Sequence, residues 1–188
     1  IYMCDQVAGA DADWTRRELE RACKRFRDIF GTEPRVHGAA GWQMNRHAYR
    51  LTQMFGFDYC SDTRGTRPFV PLYQAEVIAC PQIPTTLPTL DELLGSDGIT
   101  QDNVAEHLLS LTREASDIGH VYTAQAELEG LRLRSVFEQL LRGWREQGAR
   151  LLSLADYFDA STGLVSPRWS AVSCGRFTCE TASSTLAL

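Results

Sequence analysis

The residues best suited to chemistry fall in clusters along the chain. His37 leads into a glycine-rich turn, Gly38-Ala-Ala-Gly-Trp42. Ser61-Asp-Thr-Arg-Gly65 sets a carboxyl beside a guanidinium, and Gln125-Ala-Glu-Leu-Glu-Gly130 supplies two more carboxyls. Asp5 stands near the start. A carboxylate and an arginine together can hold a sugar or phosphate group, and a histidine can move a proton. Each residue also has a plainer reading. Asp62 and Arg64 can form a loop salt bridge. Glu127 and Glu129 can serve a helix start, where acids suit the dipole. Trp42 can be a packing residue, and His37 a satisfied structural histidine. His47 and His107 fall on helical stretches and read as solvated. His120 precedes a strand and reads as structural.

Several familiar devices are absent. The chain has no Gly-x-Ser-x-Gly elbow, no Gly-x-x-x-x-Gly-Lys loop and no Gly-x-Gly-x-x-Gly turn, so serine-hydrolase, nucleotide-hydrolase and dinucleotide-oxidoreductase readings lose support. The net charge of −5 argues against a nucleic-acid partner, which calls for a basic face. No apolar run reaches the roughly 18 residues of a transmembrane helix. The six cysteines form no C-x-x-C pair, so a zinc ribbon is unsupported and scattered buried thiols are expected.

The elements that must position these groups can be read from period and punctuation. Trp14 to Phe30 carries Leu19, Ala22, Cys23, Phe26, Ile29 and Phe30 on one helical face. Thr15 and Glu18 have capping-box spacing, and Gly31 stops the helix. Strands are expected at Arg35–Ala39, Phe57–Cys60, Glu76–Cys80, His120–Gln125 and Leu151–Leu154, with a loop over Thr63–Pro71. Further helices are expected at Asn45–Phe55, Thr89–Leu94, Thr100–Arg113 and Leu131–Gln147. This alternation predicts an α/β fold with parallel strands and helices outside. Active groups of such folds collect at the carboxyl ends of strands, which is where His37, Asp62 and Gln125 fall. The expected division is a domain over 1–160 and a Ser/Thr-rich, loosely ordered tail over 161–188.

Particular stretches, in order, resemble one family. They are His37-Gly-Ala-Ala-Gly-Trp42, Phe57-Asp-Tyr-Cys-Ser-Asp-Thr-Arg-Gly-Thr-Arg-Pro-Phe69, Gln82-Ile-Pro-Thr-Thr-Leu-Pro-Thr-Leu-Asp-Glu92 and Val121-Tyr-Thr-Ala-Gln-Ala-Glu-Leu-Glu-Gly130. Together they resemble the NodB-like polysaccharide deacetylases, and within them the deformylases of lipid-linked formamido-arabinose. The resemblance implies the C-terminal part of a distorted (β/α) barrel whose first strands precede Ile1, leaving open sheet edges. It implies a hydrolase of non-peptide C–N bonds that uses a divalent, zinc-type metal to deformylate an undecaprenyl-phosphate-linked sugar in lipid A modification. It places such a protein in the bacterial cytoplasm or at the inner-membrane periphery, with peripheral membrane association. His37, Trp42, Asp62, Arg64 and Glu127 take substrate-binding positions in this comparison.

The family's ligand and acid positions are altered. Where members carry His-x-x-Asp-His, this chain has Tyr2-Met-Cys-Asp5-Gln6, so Tyr2 and Gln6 stand at the histidine positions and Asp5 is kept. A phenol and an amide are weak donors to a metal, and the chain is expected not to bind it there. Gln125 stands at the position of the late catalytic histidine, and an amide cannot act as a general acid. The expected function is a deacetylase-type hydrolase with impaired turnover. The alternatives are a non-catalytic protein that binds the sugar or its lipid carrier, and an inactive fragment.

Overall fold

The computed structural model describes residues 6–73, 75–114, 116–163 and 170–173. Tyr2, Asp5, Cys4, Cys174, Cys179 and most of the expected tail lie outside them. The chain divides into two compact units, one of Ile1–Arg64, Pro68–Ile83 and Arg168–Leu188, the other of Gly65–Arg67 and Pro84–Pro167.

The first unit opens with helix α1, Ala12–Phe30. Its cap is Asp11, whose carboxylate accepts the Trp14 N–H at 2.7 Å. The expected Thr15 cap is displaced: Thr15 lies one turn inside, and its hydroxyl donates to the Asp11 carbonyl. Asn45 caps α2, Arg46–Met54, by accepting from the His47 and Ala48 N–H groups. The Asn45 amide also donates to the Val7 carbonyl and the Thr15 hydroxyl. One buried side chain thus joins the starts of two helices. Of the expected inner face of α1, Cys23 is buried and Leu19 packs at its margin, while Ile29 and Phe30 stay exposed.

The strands are shorter than their apolar runs. Strand β1, Val36–His37, lies parallel to β2, Tyr59–Cys60, with Val36 opposite Tyr59 and His37 opposite Cys60. Beyond β2 the Pro81–Ile83 backbone continues the pairing: Cys60 N donates to Pro81 O and Ile83 N to Cys60 O, each at 2.8 Å. The other edge of Gln82 exchanges two bonds with Phe69. Phe69 starts β3, Phe69–Tyr73, within a stretch expected to be loop. Strand β3 pairs antiparallel with β4, Glu76–Val77, and parallel with Ser170–Ser173, here β5. The partner strands override the local Pro and Gly signals that suggested a loop. Behind these strands pack Cys23, Met44, Ala48, Tyr49, Phe57 and Ile78.

The second unit is helical. Helices α3 (Leu90–Leu94), α4 (Val104–Ser110) and α5 (Arg134–Glu146) close on Leu90, Val104, Leu108, Leu133, Leu140 and Trp144. Two expected strands do not form. At His120–Gln125 the chain runs beside a segment bounded by Pro84 and Pro88, which lack N–H donors. Val121 instead accepts from Thr86 and Leu87 N–H and donates to the Thr86 hydroxyl, a side chain standing in for a ladder carbonyl. At Leu151–Leu154, Ser153 accepts the Asp156 N–H and starts α6, Leu154–Gly163. Helix α4 begins four residues later than expected because Asn103 folds back onto the Thr100 N–H and the Gly98 carbonyl. The π-type turn Leu128–Arg132 precedes α5. The α/β class stands, with parallel pairs at β1–β2 and β3–β5.

Candidate functional site

The parallel register of β1 and β2 carries His37 and Asp62 to the same end of the first unit. Ser61 N donates to the His37 carbonyl at 2.8 Å, so Asp62 begins where β1 stops. His37 Nδ1 lies 2.6 Å from Asp62 Oδ1, and the Ala39 N–H donates to the same oxygen at 2.9 Å. The other carboxylate oxygen accepts from Gln82 Nε2 at 3.1 Å. Asp62 is fully buried, while His37 keeps 27% of its side chain exposed. With Nδ1 donating to the carboxylate, Nε2 is left as the acceptor. Burial pulls the His37 pKa down; the hydrogen bond and charge of Asp62 more than offset this and raise it. The His37 ring also stacks on Phe57, with centroids 5.7 Å apart.

Trp42 closes the following turn with φ of 54°, beside Gly41 at 58°. Successive left-handed residues reverse the chain sharply, a conformation that is uncommon outside glycine. Over the half-buried Trp42 ring lies the Arg64 guanidinium, 4.6 Å from its centroid, a cation–π contact. The first unit therefore gathers His37, Trp42, Asp62 and Arg64. The sequence reading gave Gln82 no role beyond its place in a family-like stretch, and it missed what lies behind Asp62. There Cys60 and Cys80, both fully buried, bring their sulfurs to 3.5 Å. The shared hydrogen bond holds the Cys60 thiol protonated and lowers Cys80. Cys23, Cys60 and Cys80 are free, buried thiols, as expected.

The remaining candidates belong to the second unit. Gln125 Nε2 donates to Asp91 Oδ1 at 2.8 Å, and its backbone N–H donates to Glu129 Oε2 at 2.8 Å. Glu129 is buried and also accepts from the Tyr122 hydroxyl. Burial first, and then Glu129, raise the Tyr122 pKa. Glu127 is exposed, so of the two acids Glu129 carries the local network. Its spacing of four from Gln125 was the available signal, because one helical turn sets it under that N–H. His107 and His120 are exposed, whereas His47 is half-buried against Arg46 rather than fully solvated. Gln6 is exposed in a turn. Among the described residues, the group of side chains able to hold a metal ion is His37, Cys60 and Asp62, whose donor atoms lie within 4.8 Å of one another.

No known protein-family profile matches the chain. It is 32% identical over 142 residues to a protein of Shewanella sediminis (strain HAW-EB3) named as a 4-deoxy-4-formamido-L-arabinose-phosphoundecaprenol deformylase, across 76% of this chain and 45% of that one. It is 33% identical over 117 residues to a protein of the same name from Wigglesworthia glossinidia brevipalpis, across 62% of this chain and 40% of that one. The chain thus spans less than half the length of these curated relatives. The crystal structure of a protein from Mycobacterium smegmatis described as a polysaccharide deacetylase superposes with a TM-score of 0.67 at 20% identity, over 94% of this chain and 65% of the other. That likeness establishes a shared fold. Over up to three quarters of its length the chain is thus similar in sequence to proteins named as formamido-arabinose deformylases, and in fold it is similar to a protein described as a polysaccharide deacetylase.

Proposed function

We propose that the chain is a deacetylase-type scaffold for a carbohydrate amide, its substrate class a formamido sugar carried on a polyprenyl phosphate, with amide hydrolysis impaired. One observation carries this reading. Two of the stretches that resemble the deformylases are gathered by the first unit, which brings together His37 and Trp42 from one turn and Asp62 and Arg64 from the next. In this reading His37, Trp42 and Arg64 meet the ligand and Asp62 orients His37. The parallel strand pairs and the deacetylase-like fold support a distorted (β/α) barrel for the whole protein. No described helix is long and apolar enough to cross a membrane, and the proposed setting is the inner-membrane periphery, where a lipid-linked sugar is met.

A divalent ion in this chemistry polarises the amide oxygen and acidifies a water. The residues at the family's histidine positions do not suit it. Gln6 offers an amide and Tyr2 a phenol, and neither matches imidazole as a donor. Gln125 can donate a hydrogen bond but no proton, and its amide is engaged with Asp91. Binding therefore outlasts turnover in this proposal.

The test is a titration of the chain with an undecaprenyl-phosphate-linked formamido-pentose, followed by tryptophan fluorescence, alongside a formate-release assay. Saturable binding that weakens roughly tenfold in Trp42→Ala and Arg64→Ala, about 1.4 kcal/mol, is the expected result, with little formate released. Binding indifferent to both substitutions overturns the site. Rapid formate release overturns the impairment.

A further inference from the structure

The sulfurs behind Asp62 do not follow from the proposed sugar site. We propose that His37, Cys60, Asp62 and Cys80 form a closed structural site for one zinc-class ion, built from residues other than Tyr2 and Gln6 and sharing His37 and Asp62 with the proposed sugar site. The donor set suits such an ion: two sulfurs, an imidazole and a carboxylate are the ligands that four-coordinate zinc takes. The geometry is close to what the ion needs. Two thiolates on tetrahedral zinc stand roughly 3.7 Å apart, and Cys60 and Cys80 are 3.5 Å apart. The His37, Cys60 and Asp62 donors already share a 4.8 Å neighbourhood; Cys80 lies outside that group, touches it through the Cys60 sulfur, and must swing toward Asp62 and His37 to complete the site. The 2.6 Å contact between His37 and Asp62 must open by somewhat under about 1 Å to admit the ion.

An outer shell is in place. Asp62 keeps the Ala39 N–H on one oxygen and Gln82 Nε2 on the other while a remaining lone pair turns to the ion. The Phe57 carbonyl, 3.6 Å from the Cys80 sulfur, loses a weak thiol contact. Four protein donors would fill a tetrahedral ion and leave no open position, which marks the site as structural rather than catalytic, and Cys60, Asp62 and Cys80 are each fully buried. The ligands come from the end of β1, from β2 and the turn after it, and from the segment leading to Gln82, so one ion would pin neighbouring strands. The process is not redox. Zinc replaces the thiol protons of Cys60 and Cys80, which pass to buffer, and the His37 proton moves from Nδ1 to Nε2.

The experiment uses the reduced, metal-free 188-residue chain, titrated with cobalt(II) and then zinc. One equivalent should bind with thiolate-to-cobalt charge-transfer absorption, zinc should displace the cobalt, and the Tm should rise. Cys60→Ser, Cys80→Ser and His37→Gln should each weaken zinc binding at least tenfold, and either serine variant should diminish the charge-transfer band. Should the variants fail to fold, alkylation of the parent chain read by mass spectrometry decides. Zinc should slow labelling of Cys60 and Cys80 but leave Cys23 unchanged. Absence of zinc binding at micromolar metal, serine variants that bind like the parent, or unprotected thiols would overturn the proposal. A Cys60–Cys80 disulfide that forms equally fast with zinc present would also overturn it.

Discussion

Gln82 grips Asp62 from two sides: its Oε1 accepts the Asp62 N–H and its Nε2 donates to Asp62 Oδ2, each at 3.1 Å. The pairing fixes the backbone and the carboxylate of one residue with a single amide. It is available because the Gln82 backbone is itself held between Cys60 and Phe69. The carboxylate then has one fixed face left for His37 and the Ala39 N–H.

Replacing Gln82 by Met, which keeps length and removes both hydrogen bonds, should cost about 2–4 kcal/mol. The Asp62 N–H and one carboxylate oxygen would be left without their partner at a residue with 0% exposure. Urea denaturation with a chelator present checks this. A change under about 0.5 kcal/mol, the size of a neutral surface substitution, would show that the amide is not what holds Asp62.

Asp62→Asn tests the same hub from the other side. An amide keeps the shape, but its NH2 must face either Gln82 Nε2 or the donors on His37 and Ala39. One donor–donor opposition is unavoidable: a flip of Gln82 moves it to the backbone N–H of residue 62, and a change of His37 tautomer leaves the Ala39 N–H opposed. A loss of about 2–4 kcal/mol is expected. The double variant with Gln82→Met should lose clearly less than the sum, since both changes disrupt one network. Additive losses would mean the residues act separately.

Position and period made part of this legible from the chain alone. Helix α5 repeats its apolar residues over more than three turns, and Val136, Leu140 and Trp144 are buried as that pattern requires. His37 and Asp62 were visible because they end apolar runs. Gln82 was not: Pro81 and Pro84 flank it, and its strand-like pairing exists only where Cys60 and Phe69 meet it. Cys60 and Cys80 are twenty residues apart with no local motif, so their proximity is a property of neighbouring strands alone. The expected strand at His120–Gln125 failed for the complementary reason. Its apolar residues suit a strand, but the proline-bounded segment beside it cannot supply a regular ladder.

Gly143 gives a packing prediction in the second unit. A Cβ there would collide with both methyls of Leu109 and stand 3.1 Å from its Cγ. Alanine would gain about 1 kcal/mol in helix propensity. Overpacking of this kind costs about 1–3 kcal/mol, and the approach to Cγ means a methyl rotation alone does not clear it. Gly143→Ala should therefore destabilise by about 1 kcal/mol net. In a Leu109→Ala background the same change should stabilise by about 1 kcal/mol. A thermal-melt cycle over the four proteins reads the sign reversal, and no reversal would mean that α4 and α5 do not meet at this pair.

Tyr122 and Glu129 supply a pH dependence with a fixed sign. Burial, and then the hydrogen bond to Glu129, hold the Tyr122 proton above its ordinary value of 10. In the unfolded chain that proton leaves near 10, so above that pH the folded state binds more protons than the unfolded state, and stability falls as pH rises. The contribution of the hydroxyl is complete below pH 10 and is lost as pH climbs through that value toward the raised one. Tyr122→Phe removes both the bond and the titration. The variant should be less stable than the parent by about 1–3 kcal/mol near neutrality, and the gap should narrow between about pH 9 and about pH 11. Urea titrations at those values measure it, and the difference between the two proteins cancels every other tyrosine. A gap that stays constant or widens with alkali would mean that the Tyr122 proton is not held by this carboxylate.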